Sequence, residues 1–157
     1  MTVGIQTGIK ADSNVTWQAL SLISKLFYFK FGEEAIPIIR QVWYELGLAA
    51  GTRLKTRLKL KEHSFMAAAN ALKTEAKETE TLRDLTENSY HIRTKKGTPC
   101  AAGLDNTARP LCEAVMTVNE GEFKAICSKD IVMDITKSRA AGDDYCEIFY
   151  YLKTAQE

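Results

Sequence analysis

Hydrophobic positions recur at helical steps through the first half of the chain and at alternate positions through much of the second. After a polar lead over residues 1–13, Asp12, Ser13 and Asn14 supply helix caps before Val15. Trp17, Leu20, Ile23, Leu26, Phe27 and Phe31 then follow at the spacing of one helix face, and Gly32 ends the run. Glu33 and Glu34 suit the positive end of a following helix, and Pro37 falls early enough in it to be tolerated. Ile36, Ile39, Trp43, Leu46, Ala50, Leu54 and Leu58 form its apolar stripe, predicting a helix to about residue 60. A third helix is predicted from Ser64 to about Thr86, with Phe65, Ala68, Ala69, Leu72, Ala76 and Leu82 inward.

The period then changes. Tyr90, Ile92 and Thr94 alternate with Ser89, His91 and Arg93, which reads as a strand, and Lys95–Pro99 turns away from it. Pro110 opens a short helix through Cys112, Val115 and Met116, while Phe123–Cys127 fits helix and strand equally. Residues 131–136 and 145–152 read as strands, with Ala140-Ala-Gly-Asp-Asp144 turning between them. Helices first and strands afterwards predict an α+β fold with an antiparallel sheet. The expected organisation is a flexible lead over 1–13 and a single domain over 14–157, helical over 14–86 and carrying the cysteine-containing sheet region over 88–153.

Composition narrows the function classes. The 157 residues are 45% hydrophobic and 26% charged, which suits a soluble globular domain. A formal charge of +1 gives no pull toward nucleic acid or an anionic membrane. One basic stretch, Thr52-Arg-Leu-Lys-Thr-Arg-Leu-Lys-Leu-Lys61, reads as a solvated helix face or as an anion or partner patch, without the aromatics of a nucleic-acid site. No run approaches the roughly 18 apolar residues of a membrane span, and the first ten residues lack a secretion signal. A cytoplasmic protein with reduced cysteines is expected, with neither nucleic acid nor membrane as partner.

All four cysteines, at 100, 112, 127 and 146, fall in the second half, and none forms a C-x-x-C pair. The last opens a strand within Gly142-Asp-Asp-Tyr-Cys-Glu-Ile-Phe149, and Cys100 follows the strand at 89–94. The first half carries Leu26-Phe-Tyr-Phe-Lys-Phe-Gly-Glu-Glu-Ala35. On these motifs the chain resembles the L-2-amino-thiazoline-4-carboxylic acid hydrolase-like family and the related 4-vinyl reductase, or hydrocarbon-binding, domains. It departs from them in having Pro99 before Cys100 where the family often has proline after it, and either Cys112 or Cys127 answers to the family's middle cysteine. The resemblance covers residues 20–152. It implies helices packed on a curved antiparallel sheet, and an apolar small molecule, a Cys- or His-bound metal, or a sensory or scaffolding role.

Three kinds of site follow. Zinc needs three or four converging thiolate or imidazole ligands, and Cys100, Cys112, Cys146 and His91 are the candidates, against the alternative of cysteines packed as small hydrophobes. A thiol nucleophile needs a base beside it, and Cys100 with His91 is the pair the chain offers, fitting a hydrolase acting on a cyclic C–N bond. An apolar pocket between helices and sheet would draw on Trp17, Phe27, Tyr28, Phe29, Phe31, Trp43 and Tyr44, against the alternative that they only pack the core, with Arg93, Arg109 or the basic stretch for a ligand carboxylate. Asp143 and Asp144 are expected to shape their turn rather than to carry chemistry. The reading placed first is a domain binding a small, partly apolar ligand, with a zinc ion as the one cofactor considered. The hydrolase and a homodimeric interaction module stand as alternatives.

Overall fold

The computed structural model describes residues 15–75 and 80–153. Its elements are α1 (Val15–Phe31), α2 (Ile36–Arg57), α3 (Phe65–Glu75), β1 (Glu80–Leu85), β2 (Ser89–Thr94), α4 (Arg109–Val115), α5 (Thr117–Cys127), β3 (Ile131–Lys137) and β4 (Glu147–Leu152). The fold is α+β: helices pack on one face of a four-stranded antiparallel sheet ordered β1-β2-β4-β3. The predicted lead over 1–13 lies outside the described residues.

Local chemistry sets the boundaries. A short 3₁₀ turn, Gly32–Ala35, joins α1 to α2, with Gly32 at φ +61°, and Pro37 sits in the first turn of α2. The Ser64 hydroxyl accepts the Ala67 N–H and caps α3. The third helix is described to Glu75; Ala76, predicted inward, lies outside the described residues, and Glu80–Leu85, predicted to continue the helix toward Thr86, forms β1 instead. Its hairpin with β2 is closed by Thr86, whose hydroxyl accepts the N–H groups of Asn88 and Ser89. Hairpin pairing with β2 thus overrides the helical spacing of the apolar residues there.

Phe123–Cys127, which fits helix or strand, belongs to α5. The crossing of α5 on α2 organises the helical layer. A Cβ built on Gly51 would stand 2.7 Å from the Glu122 carbonyl oxygen, so the two backbones meet with no room for a side chain. Thr117 ties the start of α5 to its surroundings by donating to the carbonyls of Ala114 and Arg40. Tyr90, Ile92, Ile148 and Tyr150 turn from β2 and β4 toward the helices and are buried with Trp43, Phe65, Leu111, Phe123 and Ile126. Phe123 stacks on both Phe65 and Tyr150, linking α5 to α3 and to the sheet.

α1 departs most from its predicted face. Ser21 and Ser24 are buried, and Ser24 accepts the Trp43 indole N–H at 2.9 Å. Ile23 and Leu26, predicted inward, are 61% and 58% exposed, and Leu22 and Phe29 share that outer surface. An apolar helix all round cannot reveal its inner face by spacing alone; the buried serines and the Trp43 hydrogen bond fix its orientation.

Candidate functional site

A cavity of about 180 Å³ opens where α3 and α5 stand over β2 and β4. Tyr90, Ile92 and Tyr150 floor it, Leu72 and Glu75 line it from α3, Val118, Asn119 and Glu122 from α5, and Trp17 from α1. Strand alternation aims Tyr90 and Ile92 inward together, and Tyr150 stands opposite Tyr90 in the register. The two tyrosine rings stack at 5.6 Å. Asn119 donates its amide to the Tyr150 hydroxyl at 2.6 Å. Trp17 leans on Trp43, ring centres 5.4 Å apart.

Glu122 is the chemically unusual group of this cavity. Among the described residues its carboxyl has no hydrogen-bond or ion-pair partner. Burial pushes its pKa up to about 8, and the nearby Glu75 carboxylate adds to the rise. Glu75 is itself paired with Arg57 of α2. At neutral pH the cavity therefore presents a mostly protonated carboxyl within an aromatic and aliphatic lining.

A second, more open cleft of about 310 Å³ lies between α1 and the loop after β2, lined by Gln18, Ser21, Leu22, Lys25 and residues Cys100–Gly103. Its Cys100 is one of three thiols that influence one another electrostatically. Negative charge on Cys100 or Cys146 would raise the pKa of Cys112, and charge on Cys100 that of Cys146, so the three lie within electrostatic reach. Burial is the main influence on both: it pushes Cys112 up to about 11, against a hydrogen bond with Ser138, and it raises Cys146. The Cys146 sulfur accepts the Arg139 N–H at 3.5 Å. Asp105 braces the loop by accepting the Cys100 N–H at 2.9 Å and pairing with Arg139. Burial works against its carboxylate, but those partners outweigh it and hold the pKa below the usual range.

All four cysteines are free thiols. His91 does not join them. It points to the sheet face opposite Tyr90 and Ile92, stacks on Phe149 at 3.9 Å and contacts the Glu147 carboxylate at 3.1 Å. Its position one residue out of phase with the inward set puts it there. Cys100, Cys112 and Cys146 thus lie within electrostatic reach of one another, while His91 stands apart, both from a four-ligand set and from a pairing with Cys100. Among the described residues no group of three or more His, Cys, Asp or Glu side chains is placed to hold a metal ion.

Of the residues expected to line a ligand pocket, Trp17 does line the α3–α5 cavity, while five others serve other ends. Trp43 is buried behind Trp17, and Phe27 packs edge-on against Phe31. Tyr44 meets Gly121 through its backbone at the helix crossing. Arg93 binds Glu147 at 2.8 Å and covers the Tyr145 ring. Arg109 pairs with Glu113 and reaches the Ile135 carbonyl. None of the five lines the α3–α5 cavity. Asp143 accepts the Ser138 N–H at 2.8 Å, which closes the loop before β4. In the basic stretch, Lys55 contacts His63 and Arg57 pairs with Glu75.

Sequence reasoning did not find Glu122 or Asn119. Their faces became readable only once α5 was a helix, because Val118 and Glu122 then stand one turn apart. Tyr90 carried a usable signal in its alternation with Ile92.

No family model matches the chain, and no curated protein is similar to it in sequence. Solved structures do share its fold. A trafficking protein particle complex subunit 3 from Naegleria fowleri, covalently bound to palmitic acid, superposes with a TM-score of 0.59 at 12% identity, covering 91% of this chain and 98% of that one. The phenol-responsive sensory domain of the transcription activator PoxR, solved with phenol, superposes with a TM-score of 0.56 at 18% identity, covering 87% of this chain and 74% of that one.

Proposed function

We propose that this protein is a cytoplasmic, single-domain binder of a small, partly apolar molecule, and that the ligand occupies the cavity between α3, α5 and the sheet. The observation that carries this reading is the cavity's make-up: an aromatic and aliphatic lining with Asn119 and the Glu122 carboxyl inside it, the latter without a partner among the described residues. Small-molecule sites are commonly apolar hollows with a few polar groups that fix orientation. At about 180 Å³ this one is below the roughly 300–1,000 Å³ usual for drug-sized ligands, which favours a single-ring molecule. The two solved proteins of this fold, held with palmitic acid and with phenol, lend the reading support by analogy. A screen of single-ring compounds by ligand-observed NMR tests it. Saturable binding is expected, lost when Val118→Trp fills the cavity in a protein that still melts cooperatively; binding that persists in that variant would refute the assignment.

The hydrolase alternative gains nothing from the geometry. It needs a thiolate and a base together, whereas Cys100 lines the cleft beside α1 and His91 stacks on Phe149.

A homodimer is favoured by a separate observation. Leu22, Leu26 and Phe29 follow one another at helical spacing on α1, with Ile23 beside them, and each is more than half exposed. Ile38 and Val42 form a further exposed pair one turn apart on α2. Exposed apolar side chains aligned along one helix in this way suit an interaction face, and a second copy of the chain is the partner we propose for it.

A further inference from the structure

We infer that the α3–α5 cavity is built for a small organic ammonium ion, with Glu122 as its counter-ion and Trp17, Tyr90 and Tyr150 as its aromatic wall. The inference rests on the reading that this cavity holds a small ligand, and it names the charge of that ligand.

Three features of the lining point the same way. Among the described residues, its ionisable carboxyls are Glu122 from α5 and Glu75 from α3, and no Lys, Arg or His lines it. Three aromatic side chains approach from α1, β2 and β4, and aromatic faces attract a cation within about 6 Å of the ring. Glu122 has no cation of its own among the described residues, whereas Glu75 has Arg57 and Glu120, also on α5, has Arg40. A half-buried carboxyl without a charged partner in an aromatic and aliphatic lining is disfavoured in its charged form and tends to keep its proton. A ligand cation would supply the missing charge, and Glu122 would release that proton to solvent as the cation binds. A neutral hydroxylic ligand would instead accept a hydrogen bond from the protonated carboxyl. The two ligand classes therefore predict opposite pH dependence.

The test uses two single-ring probes followed by calorimetric titration of the full chain from pH 6 to 8. Phenyltrimethylammonium carries a charge that does not titrate, and phenol stays neutral over that range. Burial and Glu75 hold the Glu122 pKa near 8, so affinity for the ammonium probe is expected to rise about fiftyfold between pH 6 and 8, with proton release. Glu122→Gln, checked for an intact fold by its thermal melt, is expected to abolish that rise. If phenol binds and the ammonium probe neither binds nor competes, the ammonium assignment is overturned while the small-ligand reading stands. If neither probe binds, both fall. Ammonium binding with no pH dependence in the unaltered protein also overturns the role given to Glu122.

Discussion

Gly121 of α5 lies so close to Gly47 of α2 that a Cβ built on Gly121 would stand 3.0 Å from the Gly47 carbonyl carbon and 2.8 Å from the Leu48 nitrogen. Both are backbone atoms, so neither can swing aside. This contact sets the depth at which α5 rides on α2, and Glu122, the next residue, follows it into the cavity.

Alanine at Gly121 or Gly47 must therefore push the helices apart. Overpacking of this kind costs about 1–3 kcal/mol, sometimes more, and both variants are expected at or above the upper end. Denaturant melts check this. A loss under 0.5 kcal/mol in either variant would show that α2 and α5 slide freely.

The pH dependence of stability follows from Glu122. Its ordinary pKa is 4.5, and burial raises it to about 8 in the folded protein. Below about 4.5 both folded and unfolded chains hold the proton. Above that the unfolded chain releases it while the folded one retains it, so this group's contribution is lost progressively as pH climbs through about 8. Discounted for partial exposure, Glu122→Gln should relieve about 2 kcal/mol of the decline between pH 5 and 9. Parallel urea melts of the two proteins measure the difference, and equal slopes against pH would contradict the placement of Glu122.

Thiol reactivity offers a separate check. With its pKa pushed to about 11, Cys112 is about 0.1% thiolate at pH 8. Peptide mapping after timed iodoacetamide labelling should find it modified about a hundredfold more slowly than an ordinary exposed cysteine. Rapid labelling of Cys112 in the folded protein would mean that α4 is not packed as described.

The exposed stripe on α1 predicts an effect on assembly. Leu26→Asp with Phe29→Asp places charge on residues 58% and 61% exposed, so folded-state stability should change by less than about 1 kcal/mol. Light scattering is expected to give a dimer for the unaltered chain and a monomer for the double variant. A monomer in both cases would remove the second copy as the partner of this face.

The fold was legible where one pattern had one solution. Alternation through Tyr90 and Ile92, the turn residues before Cys146, and Gly32 between two apolar runs each led to the observed element. It was illegible where spacing admitted two answers. Leu82 fits a helical continuation of α3, but β1 pairs it with Ile92 across the hairpin turn, and that pairing is not visible in the apolar spacing. On α1, apolar residues on every side hid the fact that Ser21 and Ser24 face inward. The thiols illustrate the same limit: Cys100, Cys112 and Cys146 lie within electrostatic reach of one another, but His91 stands apart because a strand turns successive residues to opposite faces. Glu122 was the hardest to foresee, since an acid in a polar helix signals a surface, and only its position beside Gly121 carries it inside.

Chemical-shift mapping tests most directly where the ligand sits. Titration of isotope-labelled protein with a bound single-ring probe is predicted to move the backbone signals of Trp17, Val118, Asn119 and Tyr150 together, with one saturation curve. Shifts confined to Gln18, Lys25 and Cys100–Gly103 would place the ligand in the cleft beside α1 and contradict the account.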